Sequence, residues 1–172
     1  MRAVLSGCEV RSFSETDAAS LAFHANNRAI WRNLRDRFPH PYREEDARAY
    51  ISRAREQTPE TSFAIAVDGA AVGGIGLMVG SDVERLSAEL GYWLGEPYWG
   101  RGIVTECVRA VSAHALRELS LRRVFALPFA GNGASCRVLE KAGFTLEARL
   151  RSSAIKEGRM TDQFLYALIA SD

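Results

Sequence analysis

One stretch of this chain has residue types and spacing suited to holding an anion: Leu94-Gly95-Glu96-Pro97-Tyr98-Trp99-Gly100-Arg101-Gly102-Ile103-Val104-Thr105-Glu106. The apolar run over residues 90–94 reads as the end of a strand, and an amphipathic segment begins near Ile103. The first amide N–H groups of a helix have no partner inside it, and the helix dipole favours negative charge there. Gly100 and Gly102 would let the backbone approach such a charge closely. Two phosphate-binding patterns are excluded. There is no Gly-x-x-x-x-Gly-Lys-Ser/Thr. Gly100 and Gly102 supply Gly-x-Gly, but Thr105 stands where the dinucleotide fingerprint needs its third glycine.

The loop resembles motif A of the acetyl-CoA-dependent N-acetyltransferases, the GNAT superfamily. Residues 98–106 are most similar to the ribosomal-protein-alanine N-acetyltransferase (RimJ/RimL-type) branch, which writes Trp-Gly-Lys/Arg-Gly-x-Ala-Thr-Glu-Ala. Trp99 replaces the Gln or Arg of the superfamily at large, and Val104 replaces a small residue. A second run, Asn132-Gly133-Ala134-Ser135-Cys136-Arg137-Val138-Leu139-Glu140-Lys141-Ala142-Gly143-Phe144, resembles the Asn-x-x-Ser-x-x-Val-Leu-Glu-Lys-x-Gly-Phe of the same branch.

The resemblance implies acetyl transfer from acetyl-CoA to a primary amine, directly, in a ternary complex. It assigns the pyrophosphate to Trp99, Gly100, Arg101, Gly102, Ile103, Val104 and Thr105. The pantetheine arm goes to Trp93, Leu94 and Asn132, and the backbone N–H of Leu94 is the oxyanion donor. Ser135 would meet the leaving thiolate. Many GNAT members use a Tyr seven residues after the Asn, but that position is Leu139 here. Arg101 and Arg137 are placed to meet cofactor phosphates or are ordinary surface arginines. Asn132 and Ser135 are also good helix caps. Glu89 lies on the strand before the loop and could act as general base, directly or through water. An exposed charge or an arginine partner are its other readings. The branch's alternative base position corresponds to Ala154, which closes that route, and Glu157 sits in a turn. Trp31, Phe38, His40 and Tyr42 are candidates to line the acceptor pocket; Trp31 and Phe38, each taken singly, read as core.

These residues need a scaffold. Strands are expected over 8–13, 62–67, 71–79, 87–94, 122–129, 144–151 and 160–170, from alternation and turn residues. Asp68-Gly69 reads as a hairpin turn. Helices are expected over 14–26, 29–35, 44–57, 103–119 and 132–142, the last closed by Gly143. Prolines 39 and 41 make 38–42 irregular. Gly73, Gly74 and Gly76 mark a twisted strand or leave room near the backbone, which would admit a longer acyl chain. This order is mixed α/β, and the resemblance implies the GNAT fold. Its sheet has about seven mostly antiparallel strands, with the fourth and fifth splayed and Gly91 a fair place for a bulge.

The 172 residues are expected to form one domain, 1–172, large enough for its own core. Basic and acidic residues number 22 and 21, so charge gives no case for nucleic acid. No apolar run reaches the roughly 20 residues of a membrane span, and Glu9 and Arg11 follow the N-terminus too soon for a signal peptide. Cys8, Cys107 and Cys136 are odd in number and lack metal-like spacing; His24, His40 and His114 are dispersed. The expectation is a cytoplasmic protein with reduced thiols and no metal. The acceptor is a peptide N-terminus or a small-molecule amine. Dimers are frequent in the branch, which leaves a homodimer open. Two alternatives stand beside the transferase: a non-catalytic CoA-binding sensor and a GNAT using a longer acyl-CoA.

Overall fold

The structure, a computed structural model, describes residues 1–170. The last two residues of the expected domain, Ser171 and Asp172, lie outside the described residues. The described residues form one sheet of eight strands in the order β1-β2-β3-β4-β5-β6-β8-β7, with five α-helices. The strands are β1 (Ala3–Leu5), β2 (Cys8–Arg11), β3 (Ser62–Val67), β4 (Ala70–Val79), β5 (Ser87–Leu94), β6 (Arg123–Ala126), β7 (Thr145–Lys156) and β8 (Arg159–Ile169). The helices are α1 (Ala18–Ala25), α2 (Arg28–Trp31), α3 (Glu44–Glu56), α4 (Ile103–Arg117) and α5 (Gly133–Lys141). The architecture is mixed α/β as expected, with one strand more than the expected seven. That strand, β1, is three residues long and pairs with β2; so short a run carries no readable alternation.

The chain divides into two compact units. The first comprises Met1–Gly76 and Tyr92–Cys107. Its strands β1, β2, β3 and β4 are joined by antiparallel ladders. Phe13, Leu21, Ala25, Tyr42, Ile51 and Ala64 form its buried core. The expected helix over 14–26 is split. Ser14 N–H donates to Asp17 Oδ2 (2.8 Å), closing a 3₁₀ turn before α1 begins. The buried Asp17 carboxylate also takes two hydrogen bonds from Arg11 (2.7 and 2.8 Å). The expected piece over 29–35 is a single turn, α2, capped by Asn27 Oδ1 accepting from Ala29 N–H (2.8 Å). At α3 the N-cap is Arg43, whose side chain has no acceptor to offer. Only the reverse half of a capping box forms, Arg43 N–H donating to Asp46 Oδ2 (2.8 Å).

The second unit comprises Leu77–Gly91 and Val108–Asp172. The parallel ladder between β5 and β6 runs from Ser87–Arg123 to Glu89–Phe125, while β5 itself continues to Leu94. A short ladder is consistent with the expected parting of these strands. β6 stops at Ala126, earlier than expected, because Pro128 has no amide to give. The carbonyls of Leu127 and Pro128 accept instead from Gln163 Nε2 (3.1 Å) and Phe164 N–H (3.0 Å). β7 is longer than expected. Its register with β8 shifts between Leu150 and Ala154, so residues 151–153 bulge opposite Asp162. Val108, Val111 and Ala115 of α4 are fully buried, as their spacing requires.

Candidate functional site

In the first unit, β5 ends at Leu94 and a 3₁₀ turn, Glu96–Tyr98, leads to the loop before α4. Gly100 and Gly102 have φ of +76° and +80°, which only glycine adopts without strain. A Cβ at either would meet nothing within 4 Å, so backbone conformation rather than crowding is the constraint. Trp99, Gly100, Arg101 and Gly102 are exposed, Val104 and Thr105 half-buried, and Ile103 is buried. Glu106 N–H makes α4's first turn to Gly102 O (3.2 Å). The N–H groups of Ile103, Val104 and Thr105 precede that bond and have no acceptor within the helix. The loop therefore presents amide donors at the positive end of a fifteen-residue helix. Arg101 stands over the ring of Tyr98, 5.4 Å from its centroid.

Leu94 and Trp93 face opposite ways along β5. A Cβ at Gly73 would lie 2.4 Å from the Trp93 carbonyl oxygen, and Gly95 N–H donates to Val72 O (2.8 Å). The backbone groups of Trp93 and Gly95 thus turn towards β4. Strand alternation sends those of Leu94 the other way, and there Trp99 Nε1 donates to Leu94 O (2.7 Å). Of the two expected pantetheine partners, Trp93 has its carbonyl turned towards β4, and Leu94 has its backbone groups turned away from it. The β4 glycines are also explained. Gly73 is pressed by Trp93 and Leu94, Gly74 by the Trp93 indole, and Gly76 by Thr61 and Ser62. The room they leave is filled by protein.

Trp31 and His40 stack with ring centroids 5.4 Å apart. Phe38 sits 4.8 Å from Tyr42 and 5.7 Å from Trp93, centroid to centroid. Tyr42 is buried and belongs to the core, and Phe38 packs on it. Burial pushes the Tyr42 phenol up to about 12. Trp31 is half-buried and His40 exposed, so these two remain surface candidates.

In the second unit, Asn132 caps α5, its Oδ1 accepting from Ser135 N–H (3.1 Å). Ser135 is half-buried in the first turn. Arg137 is exposed, and its guanidinium lies 3.4 Å from where a Cβ of Gly133 would stand. A cation and a helix N-terminus therefore share one surface. Leu139 is fully buried and Cys136 nearly so. Burial raises the Cys136 thiol, which makes it a poor nucleophile. Glu89 is half-buried on β5, in register with Phe125. Ala154 pairs with Thr161, and Glu157 is exposed in the turn at φ +50°. Among the described residues no three His, Cys, Asp or Glu side chains gather as a metal site, and no helix is long and apolar enough to cross a membrane.

The model of the acetyltransferase (GNAT) domain matches residues 8–145. The ribosomal-protein-serine acetyltransferase of Escherichia coli (strain K12) is 33% identical over 97 residues, 55% of this chain and 54% of that protein. The uncharacterized N-acetyltransferase p20 of Bacillus licheniformis is 32% identical over 88 residues, 51% of this chain and 49% of that protein. The chain spans about half the length of these curated relatives. Among solved structures, the RimL ribosomal L7/L12 alpha-N-protein acetyltransferase in complex with coenzyme A has a TM-score of 0.85. It is 23% identical, with 97% of this chain and 96% of that chain covered. At that identity the likeness is one of fold.

Proposed function

Because this chain belongs to the GNAT acetyltransferase family, we propose that it transfers acetyl from acetyl-CoA to a primary amine, directly, in a ternary complex. The observation that carries this reading is the exposed loop at the start of α4, with two positive-φ glycines ahead of unpaired helical amides. Trp99, Gly100, Arg101, Gly102, Ile103, Val104 and Thr105 hold the diphosphate. Asn132 reaches the pantetheine arm through the amide nitrogen that its capping bond leaves over, and Arg137 meets a phosphate. The amine nitrogen attacks the thioester carbonyl, and Leu94 N–H receives the developing oxyanion. Such a donor is worth about 10²–10³ in rate. Glu89 takes the proton from the amine, the C–S bond breaks, and Ser135 protonates the thiolate or hydrogen-bonds to it.

The acceptor we favour is a protein N-terminus, ahead of a small-molecule amine; the name of the Escherichia coli relative, a ribosomal-protein-serine acetyltransferase, supports a protein acceptor. An α-amine has a pKa of about 7.7–8.0 against about 10.4 for lysine, so a modest base suffices. The setting we propose is cytoplasmic, with a homodimer allowed. The test is a panel of peptides and amines with acetyl-CoA, read as free thiol, on wild type, Glu89→Gln and Ser135→Ala. Each variant should lose about 10²-fold or more in kcat. Unchanged rates in both would remove these catalytic roles. Coenzyme A binding without thiol release across the panel would instead make the protein a CoA-binding module.

A further inference from the structure

A contact from α1 onto the turn ahead of the cofactor loop has no role in the chemistry above. The His24 ring lies against the backbone of Gly95: a Cβ there would fall 2.7 Å from His24 Nδ1 and 3.0 Å from its Cγ. The same ring meets Tyr98 edge-on, with centroids 5.5 Å apart and planes at 72°. Tyr98 in turn carries Arg101 over its face. Two residues past α1, Asn27 Nδ2 donates to Glu96 Oε2 (2.6 Å), while its Oδ1 caps α2. The turn over 95–98 is thus gripped at each of its first two residues and at its last. The grip passes to the loop through Arg101. Gly95 has φ −55° and ψ 135°, a conformation open to any residue. It is glycine for want of space, and the space is taken by His24 and by Val72 O at 3.1 Å.

We propose that His24 is a positioning residue for the cofactor loop: by filling the notch at Gly95 and buttressing Tyr98, it sets where Arg101 and the α4 amides stand. This rests on the reading of residues 99–105 as the coenzyme A loop. His24 need not touch the cofactor. Burial lowers its pKa, which favours the neutral ring.

The test is a double-mutant cycle on coenzyme A affinity, by calorimetry, with thermal unfolding as a control. His24→Ala should weaken coenzyme A binding about tenfold with little change in the unfolding midpoint, and His24→Phe, which keeps the edge contact to Tyr98, should recover most of the loss. Gly95→Ala should weaken binding at least as much, because its new methyl meets the imidazole. Combined with His24→Ala it should cost little more than His24→Ala alone, because one methyl then fills the notch that the ring vacated. Strictly additive losses, or His24→Ala binding within twofold of wild type, would overturn the proposal while leaving the coenzyme A reading intact. Wild type that does not bind coenzyme A would overturn both.

Discussion

The indole of Trp99 donates a 2.7 Å hydrogen bond to the carbonyl of Leu94, so the loop that leads to α4 is tied back to the strand end it has just left. Trp99 is 46% exposed, so its place in the motif is not explained by core packing. Trp99→Phe keeps the ring and removes the donor. One neutral hydrogen bond is worth about 1 kcal/mol, or about fivefold. The expected outcome is a fall of that size in kcat/KM for acetyl-CoA. A steady-state titration checks it, with the thermal midpoint moving by no more than a few degrees.

Gly73 tests whether the β4 glycines serve the fold or a ligand. An alanine Cβ there would sit 2.4 Å from Trp93 O and 3.1 Å from Leu94 Cα, both backbone atoms. The strands must shift to accept it. Gly73→Ala should cost about 2 kcal/mol, seen as a lower urea midpoint with an unchanged slope. Gly91 is the control, since a Cβ there meets nothing within 4 Å. Gly91→Ala should change stability by less than about 0.5 kcal/mol.

Asp17 sets an acid limit on the first unit. Burial alone would raise its carboxyl, but the Arg11 guanidinium and the Ser14 amide outweigh burial and hold it below the ordinary range. A carboxyl lowered in the folded state stabilises above its unfolded pKa of about 3.9, and that contribution is lost as pH falls through the folded value. Asp17→Asn leaves Arg11 with one acceptor fewer in a pair whose side chains are 18% and 6% exposed. Arg11 keeps Glu9 at 3.5 Å, so the expected cost is about 2 kcal/mol at pH 7, shrinking towards zero at low pH. Urea titrations of both proteins at pH 7 and at about pH 2.5 would show the difference close.

Local patterns were the legible ones. Two glycines before an amphipathic run identified the start of α4, because both signals sit within a few neighbouring residues. Gly143 after α5 did the same for that helix, and its φ is +95°. What escaped depends on partners distant in sequence. His24 carries no sign that it faces Gly95, since in the sequence it is one of three dispersed histidines. Gly73 reads either as part of a twisted strand or as space near the backbone, because the strand that fills it, β5, comes later in the chain. Asn132 was read two ways, as cofactor contact and as cap. The capping bond to Ser135 is present, and it occupies one end of an amide that has two.

The bulge in β7 escaped for the same reason, and it yields the last prediction. Leu150 pairs with Gln163 and Ala154 with Thr161, so residues 151–153 face Asp162 alone. Ser152 stands at φ +48°, where a non-glycine residue needs a compensating bond. Asp162 supplies it: Oδ1 accepts from Ser152 N–H (2.8 Å) and Oδ2 from Arg149 Nε (2.7 Å). Those bonds, the Ser152 amide first and Arg149 second, hold the Asp162 carboxyl below its usual range. Ser153 Oγ donates to Gln163 Oε1 (3.2 Å), whose amide nitrogen donates to Leu127 O. The bulge is thereby linked to the segment before Asn132. Asp162→Ala should release the Ser152 amide and let the hairpin slip towards a regular register. Hydrogen exchange at Ser152 should speed up by at least tenfold, and in wild type the same acceleration should appear as pH falls below the ordinary carboxylate range, after correction for the intrinsic rate. Coenzyme A affinity should stay within twofold, because none of the residues assigned to the diphosphate lies on β7 or β8. An acceptor KM that rises while the acetyl-CoA KM holds would place the bulge on the acceptor side of the reaction.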